Sequence, residues 1–325
     1  MKVLVVGGAG YIGSHMVKML LAASHQVVTL DNLCNGHRDA VVGGEFVEGD
    51  LGDRGLLDTL MNQHSFDCVV HFASFIAVGE SVVEPAEYYQ NNVAATLNLL
   101  DAMVSHGVKE LVFSSTAAVY GEPEYSPIDE AHPTTPINPY GRSKLMVEQI
   151  LQDYDRAYAL KSISLRYFNA AGADPGHQLG ERHQPETHLI PLVLQAASGR
   201  HKSIQLYGRD YATDDGTCIR DYVHVVDLCS AHLLALDWLK AGKGSGVYNL
   251  GNGNGYSVQQ LIDAAVRVTG REIQIEDCPA RDGDAAILVA DASRAITELG
   301  WQPEFSALDT IIEHAWQWEL HHWKA

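Results

Sequence analysis

The chain has 325 residues, of which 46% are hydrophobic and 19% are charged, and its formal net charge is −19. Nucleic acids and anionic membranes are held chiefly by Lys and Arg, so we expect neither as a partner. Its apolar stretches fall far short of the roughly 20 residues of a membrane-spanning helix, and Gly7 interrupts the first one too early for a secretory signal. We therefore expect a cytoplasmic protein.

The first half of the chain alternates short β-branched runs with longer helical patterns. This alternation is typical of parallel βαβ units, and the apolar run 3–6 suits a strand covered by helices on both faces. It predicts a doubly wound parallel α/β sheet of the Rossmann type. The predicted strands cover 2–6, 26–30, 45–49, 67–72, 109–114 and 162–167, and the predicted helices cover 11–23, 53–64, 86–106 and 140–159.

The rhythm becomes irregular after about residue 170, which predicts two domains. Residues 1–170 should form the first, and residues 171–325 a smaller α/β domain built for a ligand. The segment of about 221–250 is expected to pack back onto the first domain. Within the second domain, Ser257 to Gln260 form a capping box at the start of a helix, and Gly270 stands where that helix should end.

A glycine-rich loop, Gly7-Gly8-Ala9-Gly10-Tyr11-Ile12-Gly13, follows the first predicted strand directly. Glycine lets the backbone turn tightly and approach a pyrophosphate, which then sits at the positive end of the next helix. Asp31 stands 18 residues after Gly13, where an acid accepts hydrogen bonds from the adenosine ribose and repels a 2′-phosphate. The pattern predicts NAD, not NADP, as the cofactor.

A second glycine cluster could suggest a phosphate site, and the cysteines and histidines could suggest a metal site. We predict neither site. The second glycine cluster, 251–255, precedes a helix already capped by Ser257, and no ribose-binding acid follows it, so we predict a simple turn. The five cysteines contain no Cys-x-x-Cys pair, and the C-terminal histidines His314, His321 and His322 lack further ligands. We predict no metal site and place these histidines on the exposed face of a terminal helix.

Tyr140 and Lys144 stand four residues apart at the start of a predicted helix and share one face. Upstream, Ser114 and Thr116 lie at the end of a strand, at the edge of the sheet where open α/β folds bind ligands. A free tyrosine has a pKa of about 10, which a nearby ammonium and a nicotinium ring together would lower. These four side chains suit removal of a proton from an alcohol while hydride leaves its carbon.

The chain resembles the extended short-chain dehydrogenase/reductases, and within that family it is most similar to the UDP-hexose 4-epimerases. The resemblance covers essentially the whole chain and rests on the segments 7–15, 31–33, 71–73, 78–81, 88–92, 140–144, 166–169, 215–222 and 281–284. It implies an isomerase with tightly bound NAD in its first domain and a UDP-sugar in its second. The reaction implied is reversible inversion of C4, between UDP-glucose and UDP-galactose, through a transient 4-keto sugar.

The resemblance also implies roles for individual residues. Tyr140 would be the acid and base, Lys144 would hold the nicotinamide ribose, and Thr116 would bind the sugar 4-hydroxyl with Ser114 nearby. Further cofactor contacts would come from Gly7, Gly10, Tyr11, Ile12, Gly13, Asp31, Asn32, Asn35, Gly36, Asp50, Leu51, Phe72, Ala73, Asn91 and Phe168. Further UDP-sugar contacts would come from Asn169, His188, Leu189, Tyr207, Arg220, Arg281, Asp284 and Leu288.

Three positions depart from the pattern of relatives. Ile76 stands where some relatives carry a lysine near the cofactor, and His188 stands where asparagine is expected. Leu288 is intermediate between the large aromatic residues that confine relatives to glucose and galactose and the small residues that admit N-acetylated sugars. We therefore expect a preference for UDP-glucose and UDP-galactose with weak activity on N-acetylated substrates.

Two alternative functions are kept open. A nucleotide-sugar 4,6-dehydratase on the same fold would need an acid pair just after Thr116, where this chain has Ala117 and Ala118. A catalytically silent NAD-sensing binding protein would lack Tyr140 and Lys144, both of which are present.

The resemblance implies a homodimer that associates through the helices near 91–106 and 140–159. Leu97, Leu100, Met146 and Ile150 are candidate contacts there, and a role in the core explains them equally well.

Overall fold

A computed structural model describes residues 1–281 and 284–323, so residues 282 and 283 of the matched segment 281–284 lie outside the described residues. The strands are β1 (Lys2–Val6), β2 (Gln26–Asp31), β3 (Glu45–Glu48), β4 (Cys68–His71), β5 (Glu110–Ser114), β6 (Lys161–Tyr167), β7 (Asn169–Ala171), β8 (Ile204–Tyr207), β9 (Ile219–Arg220), β10 (Tyr222–His224), β11 (Gly246–Leu250), β12 (Tyr256–Ser257), β13 (Ile275–Cys278) and β14 (Ile287–Leu288). The α-helices are α1 (Tyr11–Ala22), α2 (Arg54–Gln63), α3 (Val78–Val83), α4 (Pro85–Tyr89), α5 (Ala95–Ser105), α6 (Pro139–Tyr158), α7 (Leu189–Ser198), α8 (Val225–Lys240), α9 (Val258–Thr269) and α10 (Leu308–His322).

Seven parallel strands form the central sheet in the order β11-β6-β5-β4-β1-β2-β3. The chain starts in β1, builds outward through β2 and β3, and then crosses to β4 on the other side. Between β1 and β4 the direction of winding therefore reverses, and open α/β sheets bind ligands at the carboxyl ends of the strands at such a point. The predicted doubly wound Rossmann fold is confirmed.

The side chains of β1 show how the sheet is covered on both faces. Val3 and Val5 pack on one face in the core that includes α1 and α8. Leu4 and Val6 pack on the other face in the core that includes α2, α5 and α6. All four side chains are at most 1% exposed, which explains why the strand reads as an unbroken apolar run.

The predicted helix 86–106 is divided in the structure. It consists of α4, a π-helical segment (Gln90–Ala94) and α5. The π-helical segment carries Asn92, whose side chain is buried and hydrogen-bonded to the neighbouring segment at Phe75. A local change of helical pitch of this kind is frequent at functional sites.

The later part of the chain contributes to the central sheet and also builds a core of its own. β11 pairs with β6 at the edge of the main sheet, and α8 packs against α1. A separate core joins α7, α9 and α10 with β8, which pairs with β13. The division at residue 170 stays a prediction.

The predicted capping box of α9 is confirmed. The Ser257 side chain accepts a hydrogen bond from the Gln260 amide, and the Gln260 side chain accepts one from the Ser257 amide. Gly270 ends the helix in the left-handed conformation, with φ of +64°. These local signals mark both ends of α9. The amides of Val258 and Gln259 also donate to Cys218 and Thr217, which ties the start of the helix to the segment before β9.

The predicted terminal helix is present as α10, but the position expected for one histidine is wrong. His314 faces inward, where its Nδ1 lies 3.0 Å from Nε2 of His224. His321 is exposed, and His322 stacks on the ring of Trp318. The helix packs against both β10 and α7, so its covered face is wider than the sequence pattern suggests.

In the described part of the chain, no helix is long and apolar enough to cross a membrane.

A buried ion pair joins β6 to α6 on the sheet. The Arg166 guanidinium donates to both carboxylate oxygens of Glu148, at 3.0 and 2.5 Å, and the two side chains are 7% and 2% exposed. We expect Glu148→Gln to lower the free energy of unfolding by about 3–5 kcal/mol, because it leaves a buried guanidinium without its counter-charge. Urea denaturation followed by circular dichroism measures this loss.

The control is Arg156→Gln, which breaks an ion pair with Asp153 in which both side chains are 77% exposed. This variant should change the free energy of unfolding by less than about 1 kcal/mol. An equal loss of unfolding free energy in the two variants would show that the buried ion pair stabilises the fold no more than the exposed one.

Candidate active site

The glycine loop between β1 and α1 is shaped by positions that admit no side chain. Gly7 has φ of +78°, and a Cβ there would lie 2.5 Å from the backbone nitrogen of Ala73. A Cβ on Gly13 would lie 2.1 Å from the carbonyl oxygen of Gly7. Helix α1 begins at Tyr11, and no side chain caps it at Gly10. The loop therefore presents the positive end of a helix at the winding-reversal point, as a dinucleotide pyrophosphate requires.

Asp31, at the end of β2, holds the glycine loop from the side. Its two carboxylate oxygens accept hydrogen bonds from the amides of Ala9, at 2.9 Å, and Leu33, at 2.8 Å. Gly36 packs so closely that a Cβ there would lie 2.8 Å from Oδ1 of Asp31. The acid is 8% exposed and therefore lies at the base of the predicted adenosine site.

Some of the other predicted adenosine contacts are linked to one another near Asp31, and one is exposed. The Asn32 amide group donates to the Asp50 carboxylate at 2.7 Å, which links the turns after β2 and β3. Leu51 is buried beside Asp50, and Asn35 is exposed. The structure thus joins Asn32 to Asp50, while Asn35 remains on the surface.

Phe72 and Ala73 line the other side of the crevice. Their amides both donate to the Val6 carbonyl, at 2.8 and 3.2 Å, so the chain leaving β4 turns across the end of β1. The side chain of Asn91 donates to Asn92 at 2.8 Å. The predicted channel residues therefore border the same crevice as the glycine loop.

Asn92 is a residue of this region that the sequence patterns did not single out. Its side chain bonds to both the amide and the carbonyl of Phe75 and donates to the Ser143 hydroxyl at 3.0 Å. It thus fastens α6, which carries the candidate catalytic residues, to the segment after β4. Its position within the matched segment 88–92 was the available signal.

The candidate catalytic side chains meet where α6 crosses the carboxyl end of β5. Asn138 caps α6 by accepting from the Gly141 amide at 2.8 Å, which places Tyr140 in the first turn. The Lys144 ammonium donates to the Ser114 carbonyl at 2.9 Å. Both Tyr140 and Lys144 are buried, at 9% and 3% exposure.

Burial perturbs both of these groups. It raises the pKa of Tyr140, and a hydrogen bond with Thr116 lowers it. Burial also lowers the pKa of Lys144 to about 7, against the opposing charge of Glu148. The expected lowering of the pKa of Tyr140 is therefore wrong for the chain by itself, because burial outweighs the Thr116 hydrogen bond and holds the phenol protonated at neutral pH. The lysine is poised to gain or lose a proton there.

Ser114 is engaged by groups on two neighbouring elements. Its hydroxyl lies 2.8 Å from Nε2 of His232, a buried residue of α8. The His232 ring in turn packs on Phe72, with centroids 4.8 Å apart. His232 had no sequence signal of its own, because only the crossing of α8 over β5 brings it to Ser114.

The predicted UDP-sugar residues of the later strands are also brought together. Arg220 forms an ion pair with Asp284, at 2.6 Å, and donates to the Ala285 carbonyl at 2.8 Å. The Arg281 guanidinium lies over the Tyr207 ring, 3.9 Å from its centroid. Two cations therefore face one region, each held in place by a neighbouring group.

Asn169 and Leu288 lie closer to the catalytic helix. The Asn169 side chain donates to the Asp221 carbonyl at 2.8 Å, beside the pairing of β7 with β10. Leu288 packs, together with Phe168 and Leu145, around the buried residues Val119, Tyr120 and Ile128. Leu145 belongs to α6, so Leu288 packs in the same cluster as the helix that carries Tyr140 and Lys144.

His188 and Leu189 begin α7, and His188 has an unexpected surrounding. Its Nδ1 lies 2.8 Å from Oε1 of Glu181 and 3.3 Å from Oε1 of Glu186. Burial alone would lower the pKa of His188, but the Glu181 charge raises it to about 10. Nδ1 therefore faces carboxylates, and only Nε2 remains for the predicted contact with a diphosphate.

These carboxylates belong to a cluster that the sequence analysis missed. Glu181, His183, Glu186 and His188 each bring one ligand atom to within 4.8 Å of the others, an arrangement able to hold a metal ion. The signal was present as Glu-x-His-x-x-Glu-x-His, but it lies in an irregular segment whose conformation no local pattern fixes.

The second glycine cluster, 251–255, is a turn, as predicted. Its amides at Asn252 and Gly253 donate to the buried Asp221 carboxylate at 2.6 and 3.0 Å. These amides already have an anionic partner within the chain, so they are not free to bind phosphate.

Comparisons with known proteins show which family the chain belongs to. The family model described as the NAD dependent epimerase/dehydratase family matches residues 3–251. A UDP-glucose 4-epimerase of Halalkalibacterium halodurans is 52% identical over 322 residues, which are 99% of this chain and 96% of that protein. The solved UDP-glucose 4-epimerase of Brucella ovis, in complex with NAD, is 48% identical with a TM-score of 0.95 over 97% of each chain.

A further solved structure, the UDP-glucose 4-epimerase of Bifidobacterium longum in complex with NAD+ and UDP, is 41% identical. Its TM-score is 0.93, and the match covers 99% of this chain and 98% of that chain. Likeness at this level extends over the whole sequence and fold. The chain belongs to the NAD dependent epimerase/dehydratase family.

Proposed function

We propose that the chain is a UDP-glucose 4-epimerase that interconverts UDP-glucose and UDP-galactose with NAD as its cofactor. One observation carries the proposal: Tyr140, Lys144 and Thr116 meet in a buried site at the carboxyl end of β5. This site lies on the same edge of the sheet as the glycine loop after β1. An alcohol carbon placed between this site and an NAD bound at the glycine loop would lie near both a proton acceptor, Tyr140, and a hydride acceptor, the NAD.

The reaction follows from what these side chains can do. When bound, NAD supplies the hydride acceptor. Tyr140 in its phenolate form takes the proton of the sugar 4-hydroxyl, while Thr116 holds the same oxygen. The resulting 4-keto sugar turns about its link to the diphosphate, regains hydride on the other face and takes the proton back from Tyr140. Oxidation and reduction cancel, so no net NADH forms.

The two alternatives are less well supported by the same site. A 4,6-dehydratase must also remove the proton at C5, and the turn after Thr116 presents Ala117 and Ala118, which cannot accept a proton. A silent NAD sensor has no use for a buried lysine whose pKa is lowered to about 7 beside a buried tyrosine. Epimerisation uses both groups.

The UDP part of the substrate brings negative charge to an acidic protein. Arg220 and Arg281 are suited to forked contacts with phosphate, and both are already oriented by neighbouring groups. Asn169, Leu189, Tyr207 and Asp284 complete the proposed UDP-sugar contacts. A firm hold on UDP with few contacts to the hexose lets the ketone turn without leaving the site.

We further propose that the enzyme acts as a homodimer in the cytoplasm. Of the candidate contacts on α5 and α6, Met146 is 41% exposed and suits an interface. Leu100 is fully buried in the core, so the core role is the correct one for that residue.

The direct test incubates purified protein with UDP-galactose and no added reductant. We expect UDP-glucose as the product without net NADH, and we expect Tyr140→Phe to lose at least about 100-fold in kcat, because the general acid and base is gone. Separation of the nucleotide sugars measures the product. A 4-keto-6-deoxy product, or full turnover by Tyr140→Phe, would overturn the proposal.

Thr116→Val provides the companion to this test. It removes the hydrogen bond that lowers the pKa of Tyr140, so the pKa should rise. Because the phenolate is the active form, the rising limb of kcat/KM against pH should move to higher pH. A variant that is only partly folded would have a lower kcat/KM at every pH, and the rising limb of the profile would stay at the same pH.

A second prediction concerns the NAD site. Asp31→Asn replaces one carboxylate oxygen with an amide group, so one of the two amides at Ala9 and Leu33 loses its acceptor. We expect NAD binding to weaken by about tenfold or more. The measurement is the NAD released per chain on denaturation, together with titration of the NAD-free protein.

The control for this prediction is Asp53→Asn. Asp53 also accepts from a backbone amide, that of Leu56, but it does so as the N-cap of α2, where asparagine serves equally well. NAD content should stay unchanged in this variant. Undiminished NAD content in Asp31→Asn would refute the role given to Asp31.

A third prediction concerns the choice of sugar. Leu288→Ser should raise kcat/KM for UDP-N-acetylglucosamine relative to UDP-glucose by about tenfold, because it opens the wall beside Phe168. Ile287→Ser is the control, since Ile287 is 36% exposed on the other face of the same strand. Equal efficiency of the unaltered enzyme on both substrates would show that Leu288 does not limit the pocket.

A further inference from the structure

We propose that Glu181, His183, Glu186 and His188 form a binding site for a divalent transition-metal ion of the zinc class. They lie on the segment between β7 and α7, and their ligand atoms lie within 4.8 Å of one another. His188 is also a proposed UDP-sugar contact, but Zn2+ binding is measured without substrate, so its failure is distinguishable from failure of the proposed reaction.

The spacing of the four ligand atoms matches a tetrahedral site. The distances between histidine Nδ1 and glutamate Oε1 atoms are 2.8 and 3.3 Å for His188, and 3.2 and 3.7 Å for His183. Ligands at about 2.0–2.1 Å from a tetrahedral zinc ion are separated from one another by about 3.3 Å. The four histidine–glutamate distances are therefore within about 0.5 Å of the zinc value. Small movements of the side chains would bring all four atoms, which lie within 4.8 Å of one another, onto one ion.

Burial makes this cluster different from a pair of surface charges. The side chains of Glu181 and Glu186 are only 7% and 5% exposed. Nδ1 of His183 and Nδ1 of His188 are both buried, and neither makes a hydrogen bond of good geometry with another described residue. Buried polar atoms left without such bonds call for a further partner, and one metal ion would serve both imidazoles. Oε1 of Glu186 is held in place by the amides of Thr187 and His188, at 2.8 and 2.9 Å.

The charge of the ligand set suits a divalent ion. Two carboxylates and two neutral imidazoles carry two negative charges, so a divalent ion bound by all four groups leaves no net charge in the site.

The ligand types select among metals. Two imidazoles with two carboxylates suit zinc and its neighbours, whereas magnesium and calcium prefer sites made of oxygen alone. A cavity of about 310 Å³ reaches the cluster, because Glu181, His183 and Glu186 are among the residues that line it. An ion can therefore enter from solvent without unfolding of the segment.

The position of the segment indicates what a bound ion would stabilise. Arg182 forms an ion pair with Asp39 at 2.6 Å, and its carbonyl bonds to the His37 ring at 3.1 Å. The His37 amide donates to the carbonyl of Ala9 in the glycine loop, at 2.9 Å. The ion would thus fasten the start of α7 to the segment that borders the cofactor loop, as a structural site.

The test uses the full chain, stripped of metal with a chelator and then titrated with Zn2+. We expect about one zinc ion per chain after gel filtration, bound through four protein ligands. Co2+ in place of zinc should give the strong visible absorption of a tetrahedral site.

Variants at His183 and Glu186 test the ligands without touching His188, which is also predicted to face the substrate. His183→Gln and Glu186→Gln should each weaken zinc binding by at least about 10- to 100-fold, the range found for mere supporting partners of a metal site. His106→Gln is the matched control, because His106 pairs with one carboxylate, that of Asp58, at the end of α5. It should bind zinc like the unaltered protein.

Two results would overturn the proposal. One is zinc content in the unaltered protein no higher than in His183→Gln and Glu186→Gln, which would make the cluster an ion-pair network only. The other is binding without a tetrahedral Co2+ spectrum, which would place the ion elsewhere. This measurement uses the unaltered protein, so it decides the question even where a variant fails to fold.

Discussion

The contact of the Lys144 ammonium with the Ser114 carbonyl is the interaction on which the catalytic site depends. A buried ammonium is costly unless its protons find acceptors, and the end of β5 supplies one at 2.9 Å. The Phe113 ring lies on another side, 4.9 Å away. This contact fastens α6 to the end of β5, and the first turn of the same helix carries Tyr140.

The same helix face carries both the chemistry and the support for it. Tyr140, Lys144 and Glu148 follow one another at intervals of four residues, so they lie along one side of α6. Glu148 opposes the lowering of the pKa of Lys144 and is itself neutralised by Arg166 on β6. A change in the buried ion pair therefore alters the pKa of Lys144 and, through the ammonium, the environment of Tyr140.

What the sequence predicted well is what local chemistry decides. The glycine loop before α1, Asp31 at the end of β2 and the capping box at Ser257 each involve residues close along the chain or at a fixed spacing, and each lies at its predicted place in the fold. The binding of NAD by the loop and by Asp31 stays a prediction. His314 was misplaced because its partner, His224, is 90 residues away. The cluster around Glu181 escaped prediction for a related reason, since an irregular segment takes its shape from what it packs against.

The two glycine loops show why such a motif does not by itself define a phosphate site. In the loop 251–255, the amides of Asn252 and Gly253 are already taken by the Asp221 carboxylate. In the first loop, the acid Asp31 binds the amide of Ala9 from the side and leaves the start of α1 without a side-chain cap. The difference between a turn and an anion site is thus whether an internal carboxylate reaches the amides first.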